Sequence, residues 1–349
     1  MKAGVVYGKN DIRYEEIEKP TIGENDVLIK VKYTGICGSD VPRVNEGACH
    51  FFPNVLGHEF SGIVEEIGSN VTNIKCGDRV AGVPLIPCKQ CDDCKSGNYA
   101  LCKHYSFIGS RRFGSFAEYV VVPKENAVVF DEEVSFEQGA FFEPATVALH
   151  GLQRCDYKSG KTVAILGCGT IGLFTMQWAK IFGAKKIVVF DIVQEKLDLA
   201  MELGATHSIC TLSEDYMEKA FDLTEGKGFD YIYETAGNTV TMKMAFELAA
   251  NKGEICFIGT PTKELSFTVK EWENMNRKEF RLTGSWMSYS APFPGKEWEL
   301  TAKYFKTGEL KFHPSFLFKK LPLSKIEEAF SLFRQPNVVK GKILIDSEQ

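Results

Sequence analysis

Apolar and polar residues alternate in short runs over the first 150 residues. The run Val27–Tyr33 alternates cleanly, and Phe60–Ile67, Asp78–Val83 and Phe116–Val122 behave similarly between glycine turns. A period of two is typical of half-buried strands. We therefore predict a β-rich, barrel-like domain over residues 1–150.

From about Lys161 the pattern changes to alternating strands and helices. The following segments carry it: strand Thr162–Leu166, helix Leu173–Phe182, strand Lys186–Phe190, helix Glu195–Leu203, and strands Phe229–Tyr233 and Glu254–Ile258. Alternating strand and helix predicts an α/β domain with a doubly wound parallel sheet, here over residues 151–290. Residues 291–349 end in a predicted strand, Gly341–Asp346, and we expect this segment to return to the first domain.

Composition limits the function classes. A chain of 349 residues has room for two cores, and 44% apolar with 25% charged residues is typical of a globular protein. The net charge of -5 provides no general attraction to nucleic acid or anionic membranes, so we expect neither partner. No apolar signal segment or membrane span is apparent, which predicts a cytoplasmic protein. There, eleven cysteines at irregular spacing favour metal ligation and core thiols over disulfides.

A glycine turn follows the strand Thr162–Leu166. Gly167, Gly169 and Gly172 fit the pattern G-x-G-x-x-G, and Thr170 and Ile171 open the helix that follows. In this strand–turn–helix context the glycines allow a tight turn, close approach of a pyrophosphate and close helix packing. We predict a dinucleotide site formed by this loop.

The residue that selects the dinucleotide is predicted to be Asp191. It ends the next strand, nineteen positions after Gly172, where a carboxylate accepts ribose hydroxyls and repels a 2'-phosphate. Ile192 follows it instead of an arginine, so NAD is favoured over NADP. The alternative is that Asp191 only caps the next helix.

Four cysteines lie within fifteen residues. Cys88, Cys91, Cys94 and Cys102 have the spacing C-x2-C-x2-C-x7-C, which suits one tetrahedral ion. Four thiolates leave no open position, so a zinc ion here would be structural. An iron–sulfur cluster is the competing interpretation, but bacterial ferredoxins have a shorter last gap followed by proline, and here Lys103 follows Cys102.

A catalytic zinc needs a sparser set of ligands with an open position. Cys37 and His58 end strand-like segments beside glycines, although each alone would fit a core as well. Together, several segments in family order resemble the zinc-dependent medium-chain dehydrogenase/reductase family over essentially the whole chain. The resemblance rests on Cys37–Asp40, Gly57–Gly62, the four-cysteine loop, Phe141–His150 and the glycine turn.

The resemblance implies a GroES-like β-rich catalytic domain, a Rossmann NAD-binding domain and two zinc ions per subunit. In the polyol-dehydrogenase branch that the chain resembles, the catalytic zinc takes Cys37, His58 and a carboxylate. We expect that carboxylate to be Glu143, with Glu59 as an alternative ligand or as a partner that orients the site. A homodimer is expected from the family, with a tetramer as the alternative.

Further segments resemble members of the branch that oxidise a polyol phosphate, chiefly Gly284–Trp298. A phosphate needs local positive charge, and the candidates are Arg43, Arg111 and Arg112. Ser39 is the candidate for passing the alcohol proton outward, and the alternative is a turn serine that bonds its own backbone. Many relatives have a relay histidine where this chain has Pro42, so Glu59 or bound water would have to serve in its place.

Two other functions compete with this prediction. A dehydrogenase of an unphosphorylated polyol or of L-threonine would use the same zinc and NAD residues. A non-catalytic nucleotide-binding protein of the same fold should have lost catalytic ligands, whereas Cys37, His58 and Glu143 are all present.

Overall fold

The structure is a computed structural model that describes residues 1–335 and 338–348. It divides into two compact units. The first contains Met1–Glu143, Tyr289–Gly308 and Phe312–Gln349, and the second contains Pro144–Ser288 and Glu309–Lys311. The first boundary thus falls after residue 143, where the sequence predicted 150. Residues 336, 337 and 349 of the predicted C-terminal segment lie outside the description.

The first unit begins with strands and short helices. Their bounds are β1 Lys2–Gly8, β2 Asp11–Glu16, β3 Asp26–Gly35, α1 Asp40–Asn45, β4 Asn54–Val55, β5 Glu59–Ile67, β6 Arg79–Gly82, β7 Leu85–Ile86, α2 Asp92–Lys95, β8 Ser106–Phe107, β9 Tyr119–Pro123, β10 Ala127–Val129 and α3 Phe136–Ala140. The central strand β3 pairs antiparallel with both β5 and β9. Its alternating side chains place Val27, Ile29 and Val31 in the core, as the sequence pattern predicts.

The second unit alternates helices and strands. Their bounds are α4 Phe142–Gln153, which begins in the first unit, β11 Thr162–Leu166, α5 Thr170–Ile181, β12 Lys186–Asp191, α6 Gln194–Leu203, β13 His207–Cys210, α7 Tyr216–Asp222, β14 Phe229–Glu234, α8 Thr239–Leu248, β15 Ala249–Phe257, α9 Val269–Lys278 and β16 Arg281–Gly284.

These strands form one parallel sheet in the order β13-β12-β11-β14-β15-β16. The strands β12 and β13 are added on one side of β11, and β14 to β16 on the other. The crevice between β11 and β14, where the strand order reverses, is the dinucleotide-binding position of doubly wound folds. The predicted fold class, a β-rich domain with a doubly wound α/β domain, is confirmed.

The last elements return to the first unit. Their bounds are α10 Lys296–Thr307, β17 Leu317–Pro322, α11 Ile326–Leu332 and β18 Lys342–Asp346. Strand β18 pairs antiparallel with the end of β3, with Leu344 opposite Gly35. The end of β3 therefore lies between β5 and β18, and residues from three distant parts of the chain meet there. Among the described residues, no helix combines the length and apolar character that crossing a bilayer requires.

Candidate functional site

Three potential metal ligands of the first unit lie together: Cys37, His58 and Glu59. Their donor atoms all lie within 4.8 Å of one another. Cys37 follows β3, while His58 precedes β5 and Glu59 begins it; Gly35 of β3 lies opposite Glu59 in the antiparallel register. Strand pairing thus brings the cysteine to the histidine and the carboxylate.

A buried carboxylate, Asp40, stands behind His58. Asp40 Oδ2 accepts a hydrogen bond from the Cys37 N–H at 3.1 Å, and Oδ1 lies 3.4 Å from His58 Nδ1 without hydrogen-bond alignment. Burial opposes a charge on His58, but Asp40 and then Cys37 outweigh it and raise the imidazole pKa well above its ordinary value. A carboxylate commonly orients a metal-ligating histidine. Sequence reasoning left Asp40 without a role, although the Cys-x-x-Asp spacing was a signal for it.

Lys342 holds the carboxylate of Glu59. Its Nζ donates to both carboxylate oxygens, at 2.6 and 2.7 Å, and both side chains are largely buried. Burial opposes the ammonium charge, but Glu59 and then Cys37 outweigh it and raise the Lys342 pKa. A Cβ at Gly35 would lie 2.4 Å from Glu59 Oε2, so only glycine leaves room for the pair. No sequence pattern indicated Lys342, because it lies 283 positions from Glu59.

Glu143 lies in the first turn of α4 and is partly buried. Burial and then the Glu59 carboxylate raise the pKa of Glu143 to about 7. Within residues 1–335 and 338–348, the group of close donor atoms contains Glu59 and not Glu143. A thiol, an imidazole, the buried Glu59 carboxylate and the partly buried Glu143 carboxylate fit zinc, because a dication would offset the cost of burying the negative charges. Glu143 as the third ligand stays a prediction.

The predicted proton-transfer residue Ser39 precedes α1 and is engaged by Arg43. The Arg43 Nη1 donates to the Ser39 carbonyl at 2.8 Å and to its Oγ at 3.0 Å, and lies 3.5 Å from Asp40 Oδ1. The Ser39 hydroxyl keeps its own proton to donate. Pro42 fits the first turn of α1, where an N–H has no helical partner.

Arg111 lies at the end of an aromatic series that leads to His58. Its guanidinium carbon is 4.5 Å from the Tyr105 ring centroid, Tyr105 meets Phe107 edge-on at 6.5 Å, and Phe107 meets His58 at 5.5 Å. Arg111 itself is exposed. The series thus runs from the Arg111 guanidinium group to His58, one of the predicted zinc ligands.

The charges of two predicted phosphate-binding arginines, Arg111 and Arg43, act on His50. Burial, then Arg111 and Arg43, lower the His50 pKa, so both guanidinium groups act on the same short segment. Arg112 lies elsewhere: together with Met1 it lines a separate cavity of about 190 Å³. The His50 pKa thus responds to Arg111 and Arg43, whereas Arg112 lines another cavity.

The four cysteines of the predicted structural site converge. Their sulfur atoms all lie within 4.8 Å of one another, with Cys88 to Cys94 and Cys91 to Cys102 both at 4.0 Å. A zinc tetrahedron with bonds of about 2.3 Å has sulfur–sulfur edges of about 3.8 Å, so the arrangement fits the ion. The backbone N–H groups of Gln90 and then Cys91 lower the Cys88 pKa to about 6, which favours a thiolate ligand.

An aromatic cluster packs the four-cysteine loop against a later segment of the same unit. Tyr99 meets Phe293 edge-on at 5.4 Å, and Tyr289 stacks on Phe293 and on Trp298 at 5.9 and 6.3 Å. We call these four residues the aromatic clamp. Sequence reasoning singled out Gly284–Trp298 by resemblance alone and missed this contact.

In the second unit the glycine turn lies between β11 and α5 as predicted. A Cβ at Gly172 would lie 1.9 Å from the Gly167 carbonyl oxygen, whereas one at Gly169 would meet nothing within 4 Å. Gly172 is therefore required by packing, and Gly169 faces open space that a pyrophosphate could use. Thr170 and Ile171 begin α5, whose first N–H groups are the usual partners of such an anion.

Asp191 ends β12 beside this turn. Its Oδ2 accepts from the Cys168 N–H at 2.7 Å and its Oδ1 from the Val193 N–H at 3.0 Å. Each oxygen keeps a second lone pair for a ribose hydroxyl. The carboxylate both fixes the glycine turn and remains suited to the predicted ribose contact.

Glu234, at the end of β14, supports the other side of the turn and was missed by sequence reasoning. Its buried carboxylate accepts from the Ala236 and Gly237 N–H groups at 3.0 Å and from the Thr241 hydroxyl at 2.8 Å. The next residue, Thr235, donates to the Gly167 carbonyl at 3.0 Å. The segment that Glu234 orders thus holds the glycine turn in place.

Two family models match the chain. The model described as "Alcohol dehydrogenase GroES-like domain" matches residues 23–132, and the one described as "Zinc-binding dehydrogenase" matches residues 170–303. The first range contains Cys37, His58, Glu59 and the four-cysteine loop. The second contains helix α5, which follows the glycine turn.

Curated relatives and solved structures extend the similarity to the whole chain. Galactitol 1-phosphate 5-dehydrogenase of Escherichia coli K12 is 38% identical over 348 residues, 99% of each chain. The crystal structure of the galactitol-1-phosphate dehydrogenase from Escherichia coli superposes with a TM-score of 0.94, at 36% identity, over 99% of this chain and 100% of that one.

Two other similar proteins differ in substrate or cofactor. Sorbitol dehydrogenase of Bacillus subtilis is 35% identical over 268 residues, 75% of this chain and 76% of that protein. A putative zinc-binding dehydrogenase from Sinorhizobium meliloti, solved bound to NADP, has a TM-score of 0.87 at 31% identity over 99% of both chains. Similarity alone therefore leaves substrate and dinucleotide open.

Proposed function

Because the chain belongs to the medium-chain family of zinc-dependent alcohol dehydrogenases, we propose that it oxidises galactitol 1-phosphate to L-tagatose 6-phosphate with NAD. The observation that carries this proposal is the 38% identity to galactitol 1-phosphate 5-dehydrogenase over 99% of both chains. The presence of Cys37, His58, Glu59 and Glu143 supports catalysis over a purely nucleotide-binding role.

In the proposed reaction a secondary alcohol becomes a ketone. The carbon–hydrogen bond breaks with transfer of a hydride to the nicotinamide, the hydroxyl proton leaves, and NADH and one proton are released. Zinc held by Cys37, His58 and a carboxylate would supply the positive charge that makes the hydroxyl acidic near neutral pH. Asp40 orients His58, Lys342 fixes Glu59, and Ser39 passes the proton towards solvent.

Recognition of the phosphate is assigned to Arg111 and Arg43. Both lower the His50 pKa, and Arg111 lies at the outer end of the aromatic series that reaches His58. Guanidinium groups bind phosphate oxygens through paired, charge-assisted hydrogen bonds. An unphosphorylated polyol would not form these contacts.

NAD is the proposed hydride acceptor because Asp191 is suited to ribose hydroxyls and Ile192 offers no charge to a 2'-phosphate. The S. meliloti relative solved with NADP makes NADP the alternative that the assay must include.

The test is a panel of galactitol 1-phosphate, galactitol, sorbitol and L-threonine, each with NAD and with NADP, on the zinc-loaded protein. We expect kcat/KM to be highest for galactitol 1-phosphate with NAD, by at least about tenfold over free galactitol, since a charged hydrogen bond contributes about 1.5–3 kcal/mol. Comparable values for galactitol 1-phosphate and galactitol would overturn the phosphate proposal.

Two adjacent arginines provide a matched control. Arg111→Gln should raise KM for galactitol 1-phosphate and leave the kinetics with galactitol unchanged. Arg112→Gln, with the same loss of charge one position away, should behave as the wild type because Arg112 lines a different cavity. An equal effect of both substitutions would argue against a specific phosphate contact.

A further inference from the structure

The second unit contains a cavity of about 570 Å³ that no step of the proposed reaction uses. It lies at the amino ends of the parallel strands, where Thr162 begins β11, Lys186 begins β12 and Ala249 begins β15. The glycine turn lies at the opposite, carboxyl ends. The volume of the cavity is in the range of small-molecule pockets.

The lining of this cavity is strongly basic for a chain with a net charge of -5. Its charged residues are four lysines and two acids: Lys185, Lys186, Lys227, Lys278, Glu225 and Asp230. Asp230 is already neutralised, because its oxygens accept from the Thr162 N–H and hydroxyl at 2.9 Å and from Lys161 at 3.2 Å.

The remaining acid, Glu225, serves several lysines. It pairs with Lys227 at 2.7 Å, and its pKa is lowered first by that lysine and further by Lys185 and Lys186. Of the two carboxylates of the lining, Asp230 is paired with Lys161 and Glu225 is shared by three lysines, which leaves an excess of positive charge.

Two of these lysines are partly buried without a carboxylate partner. Lys186 Nζ donates to the Leu223 carbonyl, and Lys278 Nζ donates to the Glu247 carbonyl at 2.6 Å. Among the described residues, neither they nor Lys185 form an ion pair. Burial lowers the Lys278 pKa, and the Glu247 charge opposes this shift only in part.

We propose that this cavity is a second anion site, which binds a compact phosphoryl group, either inorganic phosphate or the phosphate of a small metabolite. Ammonium groups act as point charges for phosphate, and four lysines line a space large enough for a sugar bisphosphate. The site shares no residue with the predicted zinc ligands, the glycine turn or Arg43 and Arg111. Its failure would therefore leave the proposed function untouched.

The test measures binding of inorganic phosphate and of fructose 1,6-bisphosphate to the full-length, zinc-loaded protein by calorimetry. Saturating NAD keeps both anions out of the dinucleotide site. The wild type should bind at least one of them with a Kd of about 1 mM or below, and binding should weaken with added salt. Tighter binding of the bisphosphate supports a metabolite ligand, and equal binding supports inorganic phosphate.

The double variant Lys185→Gln/Lys227→Gln removes two exposed charges from the cavity and should weaken binding at least about tenfold. Lys252→Gln/Lys270→Gln removes two exposed lysine charges outside the cavity of the same unit and should bind as the wild type. Unfolding curves and dehydrogenase activity verify that both variants are folded. No binding by the wild type, or the same weakening in both variants, would overturn the proposal.

Discussion

At the scale of single residues, the candidate metal centre depends on space as much as on ligands. Gly35 contributes no donor atom, yet the Glu59 carboxylate lies where a side chain at position 35 would be. That room lets Lys342 bind both oxygens of Glu59 and fix the carboxylate beside Cys37 and His58. A motif search for ligand types finds the cysteine and histidine but neither the glycine nor the lysine.

Gly35→Ala is therefore expected to lower zinc affinity at this centre. Its Cβ would force Glu59 away from Lys342 and leave a buried charge pair broken, which is typically costly by about 3–5 kcal/mol. Gly38→Ala is the control, since a Cβ there meets nothing within 4 Å. After dialysis against a mild chelator, metal analysis should find less zinc in the Gly35 variant than in the control. Equal zinc retention and equal activity would refute this role of Gly35.

At the scale of elements, the four-cysteine loop and the segment from Tyr289 to Trp298 depend on each other. The aromatic clamp joins them, and a Cβ at Gly97 would lie 2.8 Å from the Ala291 Cβ. The Tyr289 hydroxyl also accepts a hydrogen bond from the Leu85 N–H at 3.3 Å. A metal that shapes the loop would thereby order a segment almost two hundred residues later in the chain.

Cys94→Ser should destabilise the four-cysteine loop and the segment from Tyr289 to Trp298 together. Loss of one thiolate weakens the predicted structural zinc, and the melting temperature should fall by roughly 5 °C or more. Hydrogen exchange should become faster at residues 88–102 and also at 289–295. Cys76→Ser, at an exposed cysteine of the same unit, is the matched control and should change neither. Faster exchange confined to residues 88–102 would contradict the coupling.

At the scale of the whole molecule, strand β16 is one of the two edge strands of the described parallel sheet. Arg281, Leu282 and Gly284 are exposed, and Trp286 just beyond the strand is 56% exposed. An open, partly apolar edge favours pairing with another strand. We propose that two copies pair through β16 across a two-fold axis to form a homodimer.

Leu282→Lys should disrupt this dimer, because the symmetry brings the two introduced charges close together. Val240→Lys, at a more exposed apolar position of the same unit, should leave it intact. Sedimentation velocity at several concentrations measures the mass directly. A monomeric wild type, or an unchanged dimer in the Leu282 variant, would disprove pairing through β16.

The sequence by itself determined the features whose geometry is local. The glycine turn and the four-cysteine loop each lie within fifteen residues, so spacing alone constrains where their atoms go. The period-two strands of the first domain and the alternation of strands with helices in the second predicted both domain types. Only the tertiary structure decided which residues distant in the chain come together around the candidate metal centre. Lys342 reaches Glu59 because β18 and β5 flank the end of β3, and the charges of Arg43 and Arg111, from separate parts of the chain, both act on His50. Strand register and side-chain direction fix such contacts, and neither is encoded in the spacing of residues along one segment.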